Sequence, residues 1–303
     1  MSSTFGESSS WLLWPKQSGI DADVPDFVFQ GPPNNPPPDI GDVYRPRVYS
    51  FAPEHPNGRA ALVLAGGGYT KLVISYEGVD VARWLNSLGY HAFLLVHRFP
   101  SARWAANGSS GSQAPVDDAV EAMRQIRLRA PEFDLEPDHI GVLGLSSGGH
   151  LAASLASHYP KDWRAPASNY SNISARPDFM IVGYAPISTN ATGRTIVANK
   201  PPLPPPEKQA LYEAVQPDAQ LIDNPPPAFI VYSAADPVVP VENAYRLGSA
   251  LREKGVAAET HVYAEGAHGF ALRASREGVA RGQLAQGLRR LARGTRLMRH
   301  GVF

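Results

Sequence analysis

Short apolar segments alternate with helical patterns from Ala60 onward, and this alternation limits the possible folds more than any other feature of the chain. The segments are rich in Val, Ile, Leu and Phe, which is typical of strands buried on both faces of a parallel sheet. The stretches between them begin with proline or end at glycine, as crossover helices often do. The pattern predicts strands at residues 60–65, 91–96, 140–145, 179–185, 228–233 and 259–263, and helices at 79–88, 115–129 and 241–254.

The predicted architecture is a doubly wound, mostly parallel α/β sheet with helices on both faces. In such sheets ligands bind beyond the carboxyl ends of the strands, so we expect functional residues in the loops that follow each strand. The chain has 303 residues, of which 43% are hydrophobic, and this is enough to bury one large core. We therefore predict a single domain over residues 46–303.

The N-terminal residues 1–45 are predicted to form an extended arm. They include Gly31-Pro-Pro-Asn-Asn-Pro-Pro-Pro38, and proline fixes φ and lacks an N–H, which opposes both a helix and a central strand. Trp11 and Trp14 can each bury a large apolar area. We expect these two rings to pack the arm against the body of the protein.

Two further segments stand out by composition. Residues 187–227 contain Lys200-Pro-Pro-Leu-Pro-Pro-Pro206 and are predicted to form a short proline-rich cap between two strands. From about residue 273 the chain is rich in arginine, and we expect a solvated basic tail there.

The charge balance and the lack of cysteine exclude several classes of function. Lys plus Arg and Asp plus Glu each number 28, so no broad electrostatic attraction to nucleic acid or to an anionic membrane is expected. Without cysteine there is no disulfide framework, thiolate nucleophile or cysteine metal site.

No secretory signal is visible, nor an apolar run of the roughly 20 residues that span a bilayer. We expect a soluble protein, with the cytoplasm favoured and the oligomeric state left open.

A serine stands between two glycines directly after the predicted strand 140–145. The segment Gly144-Leu-Ser-Ser-Gly148 leads into a helical run, which gives the strand, sharp turn and helix of a nucleophile elbow. Such a turn strains the backbone of the serine so that its hydroxyl projects. Ser146 has the central position and is the predicted nucleophile, whereas Ser147 is expected to supply a backbone N–H.

Three glycines, at positions 66 to 68, follow the first predicted strand. Glycine lets the backbone approach a bound carbonyl, and N–H groups there can bind the oxyanion that forms when a serine attacks. The predicted oxyanion donors are Gly67, Gly68 and the residue after the nucleophile, Ser147. A dinucleotide-binding loop is the alternative, but the glycines lack its G-x-G-x-x-G spacing. We therefore expect no cofactor.

An aspartate and a histidine follow the last two predicted strands. Asp236 comes after the strand 228–233, and His268 lies in a glycine-containing loop after the strand 259–263. The chain order Ser146, Asp236, His268 matches the triad order of α/β-hydrolases. We predict Ser146 as nucleophile, His268 as general base and Asp236 as the carboxylate that orients the base. No metal-binding spacing such as H-E-x-x-H is present, so no catalytic metal is predicted.

Five motifs between about residue 43 and residue 272 carry a family resemblance. They are Ala65-Gly-Gly-Gly-Tyr69, Glu77-Gly78, Gly144-Leu-Ser-Ser-Gly-Gly-His150, Asp236-Pro-Val-Val-Pro240 and Gly266-Ala-His-Gly-Phe270. Together they resemble the acetyl-xylan and feruloyl esterase branch of the α/β-hydrolases. The resemblance implies an α/β-hydrolase fold and a serine esterase that acts on small acyl esters, acetyl-like or feruloyl, of small molecules or carbohydrates.

Two other functions remain open from the sequence. A serine peptidase of the oligopeptidase type shares the fold and triad, although it usually carries a large gating domain for which 303 residues leave no room. A non-catalytic binding module with a relic triad is the other alternative. For the esterase, Tyr69 is predicted to form an aromatic wall near the bound ester, and packing of its ring in the core is the alternative. The segment 187–227 lacks a broad apolar surface, so small acyl groups are expected to be preferred.

Overall fold

The computed structural model describes residues 3–14, 23–30, 38–105, 111–161, 163 and 168–272. The proline run at 31–37 and the basic tail from about residue 273 lie outside the described residues. The strands are β1 (Ser9–Leu12), β2 (Phe27–Gln30), β3 (Asp39–Val43), β4 (Arg47–Phe51), β5 (Ala60–Leu64), β6 (His91–Val96), β7 (Ile140–Leu145), β8 (Met180–Gly183), β9 (Ala228–Ser233) and β10 (Ala258–Tyr263). The α-helices are α1 (Asp80–Ser87), α2 (Ala114–Leu128), α3 (Ser147–Ser154), α4 (Pro206–Ala214) and α5 (Glu242–Glu253). A π-helix, Ser75–Val79, leads into α1, and short 3₁₀ helices cover Ala102–Trp104 and Ala130–Phe133.

Eight strands form one sheet in the order β1-β4-β6-β5-β7-β8-β9-β10. The pairs from β6 to β10 are parallel, whereas β4 pairs antiparallel with β1 and β6 at one edge. From β5 the chain first places β6 on one side and then returns to place β7 on the other. Loops that leave β5 and β7 at their carboxyl ends therefore diverge, which is where ligands of such sheets bind.

The predicted strands agree closely with the observed ones. The predicted segments 91–96, 140–145 and 228–233 are β6, β7 and β9 without change, and the segments for β5 and β10 differ from the observed strands at one end. β8 is shorter than the predicted 179–185 because Tyr184 has a φ of 36°, which an extended strand cannot continue.

The central strands account for the continuous apolar segments of the sequence. Every residue of β5, β6, β7 and β9 is buried, whereas the edge strand β10 is partly exposed along its whole length. A strand covered on both faces has no solvent-facing side to carry polar residues, so it reads as an apolar run. The core is thus centred on the parallel strands that position the site.

The helices α1, α2 and α5 match the predicted helices to within one residue at each end. α1 packs on β4, β5 and β6, and α5 packs on β9 and β10. α3 packs on β5, β7 and β8, and α2 packs on α3. The predicted doubly wound, mostly parallel α/β sheet is confirmed. None of the described helices combines the length and apolar character that crossing a bilayer requires.

The described part of the N-terminal segment is joined to the sheet rather than only lying on it. β1 pairs with the outer edge of β4, and β2 and β3 form a separate antiparallel pair. Trp11 Nε1 donates to Gln125 Oε1 at 2.9 Å, and Trp14 Nε1 donates to Asp118 Oδ1 at 2.7 Å. The prediction of an extended arm did not include the strand β1. Residues 9–12 can pair with β4 because they precede the prolines and keep the backbone N–H groups that an open sheet edge can bind.

Candidate active site

Ser146 lies in the sharp turn between β7 and α3. Its φ of 52° and ψ of −125° fall outside the regions that residues other than glycine favour. The turn needs glycine nearby: a Cβ at Gly148 would lie 2.1 Å from the carbonyl oxygen of Leu64. The G-x-S-x-G spacing therefore lets α3 approach β5 closely while Ser146 remains 8% exposed.

The three residues predicted as a triad meet beyond the carboxyl ends of β7, β9 and β10. Ser146 Oγ lies 2.9 Å from His268 Nε2, and His268 Nδ1 lies 2.8 Å from Asp236 Oδ2. A proton on Nδ1 is donated to the carboxylate, which leaves the lone pair of Nε2 directed at the serine hydroxyl. In this arrangement the imidazole can accept the serine proton.

The Asp236 carboxylate is held by the backbone as well as by the histidine. Its side chain is 1% exposed, and Oδ1 accepts the N–H groups of Val238 and Val239 at 2.8 and 2.9 Å. Burial raises the pKa of Asp236, but the hydrogen bonds from His268 and from these two N–H groups outweigh it, and the pKa is lowered overall. The carboxylate is therefore ionised at neutral pH and fixed in orientation beside His268.

The glycine loop after β5 turns sharply next to the serine. Gly67 has a φ of 131°, and a Cβ there would lie 2.1 Å from the carbonyl oxygen of Lys71, so only glycine fits. Gly68 and Ser147 line the same pocket as Ser146. Two of the three predicted oxyanion donors thus lie at the pocket wall, and Gly67 directly precedes Gly68 in the loop.

A hydrogen bond joins the glycine loop to the nucleophile elbow. The Gly68 N–H donates to Ser147 Oγ at 2.9 Å. The sequence assigned Ser147 only a backbone N–H, so this contact of its hydroxyl is additional. The Gly68 N–H is also a predicted oxyanion donor. When a substrate oxygen arrives, this N–H therefore has to share or exchange its bond to the Ser147 hydroxyl.

A buried carboxylate that the sequence analysis gave no role connects the glycine loop with the histidine loop. Glu77 is 2% exposed, and it accepts the Gly66 N–H at 2.8 Å and the Tyr184 hydroxyl at 2.9 Å. The same hydroxyl accepts the N–H of Ala271 at 3.2 Å, and the Tyr184 and His268 ring centroids are 5.2 Å apart. Burial raises the pKa of Glu77, and the hydrogen bonds from Tyr184 and Gly66 oppose the rise.

A pocket of about 150 Å³ opens beside Ser146. Tyr69, the predicted aromatic wall, does not line it: the residue is 1% exposed and has a φ of 59°. Tyr212 lines the pocket instead, and its ring packs on Tyr69 with centroids 5.7 Å apart. The prediction is therefore corrected, because the turn directs the Tyr69 side chain into the core behind the wall that Tyr212 forms.

His150 belongs to the core and not to the site. It is 0% exposed, and Nε2 donates to the carbonyl of Val215 at 2.9 Å, which leaves Nδ1 to accept the Tyr69 hydroxyl at 2.9 Å. Burial lowers the pKa of His150 to about 4, against the hydrogen bond to Val215, so the ring stays neutral. A neutral ring with both nitrogens engaged supports the wall of the pocket.

One group of side chains in the described part of the chain is close enough together to hold a metal ion, namely Glu136, Asp138 and His139. It precedes β7, whereas Ser146 follows the carboxyl end of that strand. His139 Nδ1 already lies 2.7 Å from Glu136 and 3.1 Å from Asp138. This group is at the opposite end of the strand from Ser146 and is not placed to take part in chemistry there.

The sequence matches known proteins over most of the sheet. The family model described as BD-FAE matches residues 61–251. The chain is 32% identical over 214 residues to endo-1,4-beta-xylanase B of Butyrivibrio fibrisolvens, which covers 69% of this chain and 32% of that protein. It is 28% identical over 237 residues to an acetylxylan esterase of Xylanibacter ruminicola, which covers 76% of this chain and 45% of that protein. The chain thus spans less than half the length of either relative.

A solved structure has the same fold over nearly its whole length. The acetyl ester-xyloside bifunctional hydrolase of Caldicellulosiruptor lactoaceticus matches with a TM-score of 0.68 at 26% identity, over 94% of this chain and 95% of that chain. The family model, in turn, covers well over half of the residues and includes both Ser146 and Asp236. The chain therefore belongs to the BD-FAE family and has the α/β-hydrolase fold.

Proposed function

We propose that this protein is a serine carboxylic ester hydrolase that removes small acyl groups, acetyl above all, from carbohydrates. The observation that carries the proposal is the hydrogen-bonded chain from Ser146 Oγ through His268 to Asp236, at 2.9 and 2.8 Å, beside a pocket. The names of two similar proteins, an acetylxylan esterase and an acetyl ester-xyloside bifunctional hydrolase, support acetylated carbohydrates as the substrate class.

In the proposed reaction His268 takes the proton of Ser146 as Oγ attacks the ester carbonyl carbon. Asp236 keeps the imidazole in the required tautomer and stabilises the imidazolium. Collapse of the tetrahedral intermediate breaks the bond to the alcohol oxygen, which leaves with the proton from His268. Water then attacks the acyl-serine with His268 as general base, and the carboxylic acid is released.

The negative charge of the tetrahedral intermediate needs donors at the carbonyl oxygen. We assign this role to the backbone N–H groups of Gly67, Gly68 and Ser147. N–H donors that the fold already holds near the carbonyl oxygen stabilise such a charge, although the Gly68 N–H first has to share or exchange its bond to Ser147 Oγ. The contact between Gly68 and the Ser147 hydroxyl holds the two donor segments at a fixed spacing.

Glycoside hydrolysis, suggested by the xylanase name of one relative, has no support in this pocket. Glycosidases ordinarily place two carboxylates on either side of the bond that breaks. The described residues that line the pocket include no Asp or Glu. The neighbouring carboxylate, Asp236, is bound to His268 and two backbone N–H groups. Ester hydrolysis is therefore the chemistry that the pocket supports.

A fluorophosphonate probe tests the proposed reaction, because it reacts with a serine that a neighbouring base activates. We expect the wild-type protein to be labelled and the Ser146→Ala variant to remain unlabelled, with no effect of a metal chelator on either result. A protein that binds acetylated sugars but is never labelled would instead be a binding module with a relic triad.

The preferred acyl length provides a second test. A pocket of about 150 Å³ is small beside the roughly 300–1,000 Å³ of pockets for drug-sized ligands. Each buried methylene contributes about 0.8 kcal/mol, but only while apolar surface remains to bury it. With 4-nitrophenyl esters, kcat/KM is expected to peak between acetyl and butyryl and to fall by decanoyl. A maximum at decanoyl or longer would identify a lipase.

A further inference from the structure

Two lysines line the same pocket as Ser146, and from them we propose that the pocket binds a carboxylate carried by the ester substrate. Lys200 and Lys208 both belong to the segment 187–227. The inference rests on the proposed ester hydrolysis and adds to it the charge of the substrate.

Lys208 lies beside the glycine loop. It is in the first turn of α4, and its Nζ lies 3.7 Å from the position that a Cβ on Gly68 would take. Gly68 is in turn at the pocket wall with Ser146. An anion bound by this amine therefore lies next to the ester carbonyl that Ser146 attacks.

Lys200 is held in place by the cap segment. Its Nζ donates to Oδ1 of Asn190. The side chain of Gln209 in α4 accepts the N–H of Leu203 at 3.0 Å and donates to the carbonyl of Asn190 at 3.1 Å. These hydrogen bonds tie the proline-rich stretch to α4, so the Lys200 amine is positioned before a ligand binds. Such preorganisation reduces the entropy that binding would otherwise cost.

No carboxylate in the described part of the chain forms an ion pair with either pocket lysine. Among the described residues, the lysines that pair with a carboxylate are Lys71 and Lys254, which lie elsewhere. Burial lowers the pKa of Lys208, and the charge of Lys200 lowers it further, while burial also lowers the pKa of Lys200. Neither shift has a carboxylate among its causes, which agrees with the lack of an acidic partner among the described residues. A bound anion would oppose both shifts.

A carboxylate fits this surrounding better than a neutral sugar hydroxyl. The other walls of the pocket include Leu203, Tyr212 and Val239, and partial burial strengthens the attraction between opposite charges relative to bulk water. A neutral ligand would offer the two ammonium groups no opposite charge. The carboxylate can belong to the alcohol part of the ester, as in an acetylated uronic acid, or to the acyl part, as in a hemiester of a dicarboxylic acid.

Two matched substrate pairs distinguish these sources. 4-Acetoxybenzoate and 4-acetoxybenzamide differ only in the charge of the alcohol part, and monomethyl succinate and methyl succinamate differ only in the charge of the acyl part. The measured quantity is the ratio of kcat/KM for the charged and the neutral member of each pair. It is determined for the wild type, for Lys200→Gln and Lys208→Gln, and for the double variant. Lys254→Gln is the control, since it removes the same charge from an amine that pairs with Asp223 outside the pocket.

We expect the charged-to-neutral ratio of one pair to fall about 10-fold or more in the double variant, as when one partner of a partly buried charge pair is removed. The fall in each single variant should be smaller, and the wild-type ratio should decrease with added salt. The ratio of Lys254→Gln should equal that of the wild type. The pair that responds shows which part of the ester carries the carboxylate.

A ratio that is the same in the double variant and the wild type, for both pairs, would overturn the inference. So would an equal loss for the charged and neutral members, because Lys208 would then stabilise the oxyanion of every substrate. Calorimetric titration with 4-hydroxybenzoate and 4-hydroxybenzamide separates this inference from the proposed function. Tighter binding of the benzoate to the wild type, lost in the double variant, supports the carboxylate site even if no ester is hydrolysed. Monomethyl succinate and methyl succinamate are compared in the same way on Ser146→Ala, with and without the two lysine substitutions, and equal binding within both pairs contradicts the inference.

Discussion

Ser146 and Ser147 are adjacent in the chain, but their hydroxyl groups contact different partners. Ser146 Oγ faces His268, whereas Ser147 Oγ accepts the Gly68 N–H. We expect Ser146→Ala to lose of the order of 10⁴-fold or more in kcat, as other triads do. Ser147→Ala keeps the backbone N–H and loses one neutral hydrogen bond, worth about 0.5–1.5 kcal/mol, so its loss should be far smaller. Both are measured with 4-nitrophenyl acetate on variants whose circular dichroism is unchanged; an active Ser146→Ala beside an inactive Ser147→Ala would exchange the two roles.

Glu77 acts, in our interpretation, as a positioning residue for both loops that flank Ser146. In Glu77→Ala the buried Gly66 N–H loses its acceptor, which costs about 1–3 kcal/mol, whereas the Gln side chain keeps one oxygen for that N–H. We expect kcat to fall at least about tenfold in Glu77→Ala, which corresponds to about 1.4 kcal/mol, and less in Glu77→Gln. KM should change little, because Glu77 does not line the pocket.

Active-site titration distinguishes positioning by Glu77 from a purely structural role. The fraction of protein that a fluorophosphonate labels at saturation gives the number of folded sites, and kcat is then expressed per labelled site. We expect the loss in Glu77→Ala to persist in this corrected kcat. If the corrected kcat equals that of the wild type, Glu77 contributes only to folding.

At the scale of the elements, α2 carries two neighbouring aspartates in different surroundings. Asp118 pairs with Arg98, whereas Asp117 accepts a hydrogen bond from Gln113 at 3.1 Å. Burial raises the pKa of Asp117 to about 7, against the hydrogen bond from Gln113 and with a further rise from the charge of Asp118. The folded protein thus binds more protons here than the unfolded chain between about pH 4 and pH 7, so stability is lost as the pH rises through this window.

Asp117→Asn removes this titration and so predicts a pH-dependent difference. The variant should be more stable than the wild type above pH 7, and the gain should shrink towards pH 4, because the folded wild-type carboxyl is then protonated and the unfolded one is becoming so. Urea unfolding at a series of pH values gives the difference in the free energy of unfolding. A difference that stays constant from pH 4 to pH 8 would contradict the raised pKa.

At the scale of the whole molecule, Asp118 joins three parts of the fold that are far apart in sequence. Its carboxylate in α2 accepts Trp14 Nε1 of the N-terminal segment at 2.7 Å, and Arg98 Nη2, after β6, at 2.7 Å. The side chain is 0% exposed, and that of Arg98 is 12% exposed. Asp118→Ala leaves the guanidinium buried without a partner, and we expect it to lower the free energy of unfolding by about 3–5 kcal/mol.

Asp42→Ala is the matched control for this loss. Asp42 is 51% exposed and lies 3.6 Å from Arg103, so its removal should cost no more than about 1 kcal/mol. Denaturant unfolding of both variants at one pH gives the comparison. Equal losses would mean that the buried contacts of Asp118 do not hold the N-terminal segment, β6 and α2 together.

The parallel sheet, the three crossover helices and the elbow around Ser146 could be predicted from the amino-acid sequence. These features depend on local signals: an apolar run in a strand covered on both faces, a glycine at a helix end, and two glycines flanking a strained serine. The order of Ser146, Asp236 and His268 predicted a triad, because residues after parallel strands gather at one edge of the sheet. Their separations of 2.9 and 2.8 Å then followed from the fold.

Contacts between segments without a periodic signal could not be predicted and are seen only in the folded protein. Glu77 meets the Tyr184 hydroxyl 107 positions away, and Tyr69 turns into the core instead of the pocket. Lys200 and Lys208 come to the pocket beside Ser146 through a proline-rich segment whose path no local pattern specifies. Hydrophobic periodicity and turn residues fix how a chain begins and ends its elements, because they act over a few neighbours. Which loop side chains then meet depends on the packing of all the elements at once.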